Sequence, residues 1–171
     1  MAVTARLECR EHFLEVNLST EGLMLDKWDK RRLGLAKFVA EWSKDPNAKV
    51  GAVIADTLGR VIALGYNGFA VGIEDKEDRL GCDDKLAMIL HAEENAVLIA
   101  GERARGGTIY VFGKPTCAKC AAVIIQSGIK RIVSPCFDDR PSKWTELGVL
   151  AITLFSEAGI DFELHGQSNS D

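Results

Sequence analysis

The chain has 171 residues, which fits a single domain of ordinary size. Hydrophobic residues make up 47% of it, enough to fill a core and to exclude a disordered chain. A net charge of −4 argues against a general polyanion-binding protein, which is usually basic, although an acidic chain can still carry a local basic pocket for a small phosphorylated substrate.

The sequence also indicates the compartment. Its five cysteines are an odd number, and the first ten residues lack the apolar core of a secretory signal. No apolar run approaches the length of a membrane span. We therefore expect a cytoplasmic protein without a membrane partner, in which clustered cysteines bind metal more often than they form disulfides.

The chain begins with an N-terminal arm, residues 1–25, that shows no clear hydrophobic period. Residues 26–44 are predicted to form the first helix, with Asp26 as its N-cap and a stop at Asp45-Pro46. The predicted elements after it are strands at 50–55 and 61–66, a loop at 67–84, a helix at 90–100, a strand at 108–112, a helix at 117–127, a strand at 129–134, a helix at 142–157 and a strand at 161–164.

The order of these elements predicts the fold class. The first two strands form a hairpin pattern, and from residue 90 onward helices and strands alternate. Alternation of this kind indicates parallel strands with helices packed on the faces of the sheet. We predict an α/β fold, a three-layer α/β/α sandwich with a five-stranded mixed sheet. The domain is expected to occupy residues 26–166, before a polar tail at 167–171.

Four residues form the most informative motif: His91 and Glu93 in an H-A-E segment, and Cys117 and Cys120 in a C-A-K-C segment. The histidine and both cysteines are zinc ligands by type, and three protein ligands leave the open position of a catalytic zinc. The cysteines are three residues apart, so at a helix start both sulfurs can face one point. The positive helix N-terminus favours their thiolate form, which binds zinc.

Glu93 is the predicted proton carrier. Zinc lowers the pKa of a bound water to about 7, and attack on an amidine carbon then requires protons on the ring nitrogen and the leaving amine. A carboxylate close to the water can carry both protons. Because His91 and Glu93 do not share a face of a regular helix, they converge only if they lie in its first turn.

Each part of the motif has a plainer interpretation. A lone C-x-x-C can be a redox pair, a structural zinc site or two buried thiols. A lone histidine on an apolar helix is usually a satisfied core residue, and a lone glutamate is usually solvated. The order of the four residues, each beside a predicted helix start, favours a catalytic zinc. Cys82, in the predicted loop, is a weaker candidate for a second metal.

On these residues the chain resembles the cytidine/deoxycytidylate deaminase superfamily, whose zinc sites use His, two Cys and a non-ligand Glu. The resemblance covers about residues 28–162, and the segments S-K-D-P-N at 43–47 and G-Y-N-G at 65–68 point to the deoxycytidylate branch. It implies a cytidine-deaminase-like fold and hydrolytic deamination of a cytosine nucleotide, dCMP to dUMP with release of ammonia. It also implies a homo-oligomer, with a hexamer as one arrangement.

The resemblance further implies substrate contacts. The Asn67 side chain would bind the sugar, the backbone N–H of Ala92 the base carbonyl, and the backbone carbonyl of Thr116 the exocyclic amine. Lys44 and Lys49, which flank the first strand, are the candidates for binding the 5′-phosphate. A small nucleotide is expected rather than a polynucleotide, because the chain lacks a basic stripe.

Three departures from the family pattern keep alternatives open. Thr116 stands where the family usually has proline before the first cysteine, residues 88–90 lack the usual aromatics, and Ala70 follows Phe69 where proline is common. All three affect substrate selection. The alternatives are a deaminase of the same fold acting on another amino-substituted base, nucleoside or nucleotide, a zinc-containing nucleotide-binding module without turnover, and a thiol redox protein.

Overall fold

A computed structural model of the chain describes residues 3–5, 16–18, 25–81, 84–136 and 142–165. The predicted polar tail and most of the predicted N-terminal arm therefore lie outside the described residues. Within the arm, strands β1 (Val3–Ala5) and β2 (Val16–Leu18) pair in antiparallel fashion. The division into arm, domain and tail stays a prediction.

The other elements alternate between helices and strands. In chain order they are α1 (Lys27–Ala40), β3 (Gly51–Ala55), β4 (Val61–Tyr66), β5 (Gly68–Phe69), α2 (Glu77–Leu80), α3 (Lys85–Met88), β6 (Ile89–Leu90), α4 (Ala92–Ala100), a 3₁₀ turn (Gly101–Ala104), β7 (Thr108–Phe112), α5 (Ala118–Gln126), β8 (Arg131–Pro135), α6 (Lys143–Glu157) and β9 (Asp161–His165).

The central sheet has five strands in the order β4-β3-β7-β8-β9. Strand β3 is antiparallel to both β4 and β7, while β7, β8 and β9 run parallel. The predicted five-stranded mixed sheet is therefore confirmed, and the structure adds the strand order. Among the described residues, no helix is both long enough and apolar enough to span a membrane.

Alternating side chains of β3 build the two cores. Ala52 and Ile54 point into the larger core, which α4, α5 and α6 cover. Val53 and Ala55 point into the smaller core, where Ala36 of α1 packs. Helices thus cover both faces of the sheet, and the predicted three-layer arrangement is confirmed.

Helix α1 begins with a capping box and ends early. The Asp26 side chain accepts a hydrogen bond from the Asp29 N–H at 2.6 Å, and the Asp29 carboxylate accepts one from the Asp26 N–H at 3.2 Å. The helix stops at Ala40, so the predicted end at residue 44 is wrong. The N–H groups of Trp42 and Ser43 bond to carbonyls three residues back, which tightens the chain into a turn.

The segment 67–84 is not a continuous loop, and this part of the sequence prediction is wrong. It contains strand β5 and helix α2. Strand β5 pairs with β6, with Gly68 opposite Leu90, which holds Leu90 extended. Helix α4 therefore begins at Ala92 rather than at the predicted residue 90, and His91 becomes its N-cap.

Small residues bring helix α4 directly onto the sheet. Gly65 of β4 lies against the backbone of Ala92 and Ala96, and a Cβ added at Gly65 would collide with the Ala92 carbonyl oxygen and the Ala96 nitrogen. This close approach fixes the height of the α4 N-terminus above the sheet. It thereby sets the position of the residues at the start of that helix.

Candidate active site

Two helix N-termini meet at the candidate metal site. His91 is the N-cap of α4, and Cys117 is the N-cap of α5, with Cys120 one turn into the same helix. The imidazole nitrogen Nδ1 of His91 lies 3.2 Å from Cys120 Sγ and 3.6 Å from Cys117 Sγ. The three donor atoms lie within 4.8 Å of one another.

These distances fit a zinc ion. In a tetrahedral site with bonds of about 2.1–2.3 Å, ligand atoms lie roughly 3.4–3.8 Å apart, close to the spacing of the His91 and cysteine donor atoms. Two thiolates and one imidazole are also a donor set that zinc prefers. His91, Cys117 and Cys120 would hold the ion, and three protein ligands would leave a position for the water of a catalytic zinc.

The ligand pKa values reflect strong coupling inside the cluster. The pKa of the Cys117 thiol is lowered to about 4, because Cys120 and His91 hydrogen-bond its thiolate. The pKa of Cys120 is raised by the Cys117 thiolate and by burial. The pKa of His91 is raised, chiefly by its hydrogen bond to Cys117. The cluster thus already favours one thiolate, and zinc binding must displace the remaining proton from Cys120.

Glu94 connects the two ligand-bearing helices. Its Oε2 accepts a hydrogen bond from the His91 backbone N–H at 2.9 Å, and its Oε1 lies 3.1 Å from Lys119 Nζ in the C-A-K-C segment. The Glu94 side chain is buried, so this charged contact is shielded from water on one side. The sequence alone gives Glu94 no role, since a glutamate in a helix is usually solvated.

Glu93 lies in the first turn of α4, the geometry in which it and His91 can converge. Its side chain is only 4% exposed, and burial raises the pKa of its carboxyl group. A hydrogen bond from the Glu93 backbone and the charge of His91 partly oppose that rise in pKa, with a smaller contribution from the Thr116 side chain. A raised pKa suits a group that must both take up and release a proton near neutral pH.

His91 and Glu93 open onto a pocket of about 400 Å³. Its wall combines groups from the α1–β3 loop, α3, α4, the β7–α5 loop and α6. The pocket is lined by Asp45, Asn47, Ala48, Val50, Asn67, Leu80, Gly81, Lys85, Leu86, Ile89, His91, Ala92, Glu93, Lys114, Pro115 and Trp144. The Trp144 ring centroid lies 6.4 Å from that of His91, so a flat aromatic surface stands beside the metal ligands. A planar ring of nucleobase size suits such a pocket.

Two predicted substrate contacts line this pocket. Ala92 is buried at the first position of α4, where backbone N–H groups lack partners within the helix. Asn67 also lines the pocket, but its side-chain amide is engaged with protein backbone. Asn67 Oδ1 accepts the Val50 N–H at 2.8 Å, and Nδ2 donates to the Ala48 carbonyl at 2.8 Å.

The other predicted contacts are not among the residues that line this pocket, and the Thr116 contact stays a prediction. Thr116 is buried, its N–H donates to Ser134 Oγ at 3.2 Å, and the adjacent Pro115 lines the wall. Lys44 Nζ pairs with Asp75 at 2.7 Å, and Lys49 Nζ pairs with Glu41 at 2.9 Å. Both lysines are exposed and lie outside the pocket wall. Cys82, the candidate for a second metal, lies outside the described residues.

The sequence carries no clear signal for three further pocket residues. Lys85, Lys114 and Trp144 reach the pocket from α3, the β7–α5 loop and α6. Each is separated from the zinc motif by a turn or an element boundary, so no spacing rule connects them to it. Among the described residues that line the pocket, Lys85 and Lys114 are the two lysines.

A two-thiolate, one-imidazole metal site with a buried carboxylate beside it, on a mixed five-stranded sheet, defines a zinc-dependent deaminase. The family described as the cytidine and deoxycytidylate deaminase zinc-binding region matches residues 26–136, and the chain belongs to it. The predicted family and zinc cofactor are confirmed by this match and by the His91, Cys117 and Cys120 cluster.

Similar proteins agree with this family. An uncharacterized deaminase in the luxG 3′ region of Aliivibrio fischeri is 40% identical over 139 residues, 81% of this chain and 93% of that protein. The deoxycytidylate deaminase of Homo sapiens is 33% identical, covering 80% of this chain and 78% of the human protein. The crystal structure of dCMP deaminase from cyanophage S-TIM5, 21% identical, has a TM-score of 0.63, covering 80% and 96% of the two chains. The last comparison supports the fold.

Proposed function

We propose that this protein catalyses the hydrolytic deamination of dCMP to dUMP with release of ammonia. The observation that carries the proposal is that the buried Glu93 lines the same pocket as His91, which forms the candidate zinc cluster with Cys117 and Cys120. The human relative named deoxycytidylate deaminase supports the choice of substrate. Retention of Glu93 argues against a binding module without turnover, because a structural zinc site does not need that acid.

When bound, zinc supplies an activated water for attack on C4 of cytosine. Glu93 takes one proton from the attacking water and delivers it to the ring nitrogen N3. It then carries the second proton of that water, from the new C4 hydroxyl, to the amine, so that the C4–N bond breaks and ammonia leaves. Its burial keeps competing water away during these transfers. The Ala92 N–H, at the positive end of α4, holds the base carbonyl and thereby fixes the orientation of the ring.

The amine-binding carbonyl belongs to the segment directly before Cys117. The family resemblance implies Thr116 for this contact, and the pocket lining supports the adjacent Pro115 as a second candidate. The Trp144 ring, beside His91, provides a surface for the base. Together these groups surround the base on the metal side of the pocket.

The phosphate of a nucleotide requires a cation near the pocket. Lys44 and Lys49 stay candidates, but both lie outside the wall of this pocket, and their ammonium groups pair with Asp75 and Glu41. Lys114 already lines the pocket and is exposed. We therefore add Lys114 to the candidates for phosphate binding.

The first experiment measures ammonia released from dCMP by the zinc-loaded protein. The Glu93→Gln variant serves as the control, because it keeps the shape of the side chain and removes the proton carrier. We expect turnover by the wild-type protein and a loss of at least about 100-fold in kcat for the variant. Equal rates for the two proteins would reject the proposal.

A substrate panel separates this function from the alternative within the same fold. Free cytosine, deoxycytidine, CMP and amino-substituted purines and pterins are compared with dCMP at equal concentration. A kcat/KM for dCMP above that for every other compound is expected. Preference for a purine or a pterin would show that the altered pocket serves another amino-substituted base.

We further propose a cytoplasmic homo-oligomer, for which a hexamer is one arrangement. Reduced cysteines of a zinc site suit the cytoplasm. Strand β4 lies at an edge of the sheet, and apolar side chains on both sides of it are exposed, Phe38 by 61% and Leu98 by 68%. Exposed apolar surface of this kind favours association. Light scattering during size-exclusion chromatography measures the mass, and the mass of a single chain would contradict the proposal.

A further inference from the structure

One wall of the pocket is built from a buried hydrogen-bond network centred on Asp45. Its members come from three separate parts of the chain: the α1–β3 loop, the end of β4 and helix α3. Asp45, Asn67 and Lys85 are all buried, and all three line the pocket. The network therefore belongs to the binding surface as well as to the core.

Asn67 has little hydrogen-bonding capacity left for a substrate. Its oxygen accepts the Val50 N–H at 2.8 Å, while its amide nitrogen donates to Ala48 O at 2.8 Å and to Asp45 Oδ2 at 3.4 Å. Both amide donors and one acceptor position are thus in use. Asn67 fixes the loop after α1 against the end of β4, and another group must supply donors to the substrate.

Asp45 is similarly occupied. Its Oδ1 accepts the Asn47 N–H at 2.8 Å and the Ala48 N–H at 3.3 Å, and it lies 3.0 Å from Lys85 Nζ. The pKa of this carboxyl group is lowered, because these hydrogen bonds outweigh the effect of burial. Asp45 is therefore a charged anchor with a fixed position.

Lys85 differs from these neighbours in having donors to spare. An ammonium group has three N–H donors, and among the described residues Lys85 has one partner, Asp45. Its side chain is only 8% exposed, yet it lines the pocket that contains Glu93. A buried ammonium group with unused donors is costly unless oxygen atoms reach it from the pocket.

We propose that Lys85 binds an oxygen of the sugar–phosphate end of the substrate, and that Asp45 is the positioning residue that aims it. The inference rests on the proposed nucleotide deamination, and it assigns to Lys85 the contact expected of Asn67. Two substrate oxygens have the required chemistry, a sugar hydroxyl and a phosphate oxygen. Both are acceptors for a charged N–H donor.

The test must separate substrate binding from folding. Lys85→Met alone leaves the buried Asp45 carboxylate without its counter-charge and destabilises the fold. The double variant Asp45→Asn/Lys85→Met removes both charges together. We expect it to keep its zinc content and its unfolding temperature within a few degrees of wild type, while its KM for dCMP rises by about tenfold or more. Lys76→Met, which removes an exposed lysine paired with Glu74, is the matched control and leaves KM unchanged.

Comparing dCMP with deoxycytidine shows which substrate oxygen Lys85 contacts. A KM increase seen with dCMP and absent with deoxycytidine identifies the phosphate, whereas an equal increase with both identifies the sugar hydroxyl. A double variant with wild-type KM for dCMP overturns the inference and leaves the pair a structural element. Absence of ammonia release by the wild-type protein instead rejects the proposed function, so the two failures are distinguishable.

A crystal structure of the wild-type protein with dUMP gives a second readout that needs no variant to fold. We expect Lys85 Nζ within about 3.2 Å of a sugar or phosphate oxygen. A bound dUMP whose nearest oxygen lies beyond hydrogen-bond distance from Lys85 also overturns the inference.

Discussion

At the scale of single residues, Glu94 lies outside the ligand cluster but contacts residues at the start of both ligand-bearing helices. Glu94 receives the backbone N–H of His91 on one carboxylate oxygen and pairs with Lys119 on the other. Lys119 lies between the two cysteine ligands in sequence, so Glu94 links the starts of α4 and α5. Groups that orient metal ligands in this way typically change metal affinity by about 10–100-fold when they are replaced.

We therefore predict that Glu94→Gln weakens zinc binding by about tenfold or more. The amide retains one acceptor for the His91 N–H, but it loses the charge that holds Lys119. Competition with a chromogenic chelator measures the affinity directly. Glu102→Gln is the matched control, since Glu102 pairs with Arg105 on the surface away from the metal cluster. Equal zinc affinities for the two variants would show that Glu94 does not organise the site.

At the scale of elements, the placement of α4 depends on the absence of a side chain at residue 65. Gly65→Ala would push a methyl group into the backbone at Ala92 and Ala96, where it meets rigid atoms. We expect the variant to be destabilised by about 2 kcal/mol or more and to lose zinc affinity, because the helix carrying His91 must shift. Thermal unfolding and metal titration measure the two effects.

The comparison for this prediction is Gly34→Ala in α1. An added Cβ at Gly34 meets nothing within 4 Å, and the residue lies inside a helix. Alanine there is expected to stabilise the protein by about 0.5–1 kcal/mol, because glycine is unfavourable in a helix interior. If Gly65→Ala behaved like Gly34→Ala, the close packing of α4 on β4 would not control the site.

The sequence predicts the central elements well for a physical reason. Alternating and continuous apolar runs such as those of β3 and β7 must be buried, so their bounds follow from composition. Hydrophobic periodicity cannot predict the elements in segment 67–84. Helix α2 has four residues and strand β5 only two, too few for a helical or strand period to be recognised. Their existence depends on tertiary pairing, as in the contact of β5 with β6.

The candidate site likewise has a part that local sequence predicts and a part that depends on tertiary contacts. The zinc motif can be predicted because the ligand types and their spacing lie within two short segments. The lysines of the pocket wall cannot be predicted from the sequence. Lys85, for example, is held in place by Asp45, which lies 40 residues earlier in the chain. Lys44 and Lys49 are chain neighbours of residues that line the pocket, but their own side chains are exposed and pair with Asp75 and Glu41.

At the scale of the whole molecule, one partly buried charged network joins α1 to strands β8 and β9. Asp29 of α1 accepts two hydrogen bonds from Arg131 of β8, at 2.9 and 2.8 Å, and one from the Tyr110 hydroxyl at 2.8 Å. Arg131 also binds Glu163 of β9 at 2.6 Å. The network spans both sequence ends of the described domain, so we expect it to affect global stability rather than the active site.

This network lets us predict how the stability of the protein changes as the pH falls. The pKa of Asp29 is lowered to about 2, chiefly by its hydrogen bond to Arg131, against about 3.9 in an unfolded chain. A carboxyl group with a depressed folded pKa contributes stability that is fully present above about pH 4 and is lost as the pH falls toward 2. Asp29→Asn should therefore lower the free energy of unfolding by about 2 kcal/mol at pH 7, and the difference from wild type should shrink steadily below pH 4.

Urea unfolding at a series of pH values measures this difference, with the exposed Glu102→Gln variant as the comparison. A difference between Asp29→Asn and wild type that stays constant from pH 7 to about pH 2 would contradict the assignment, because it would mean that the Asp29 side chain acts through packing rather than through its charge.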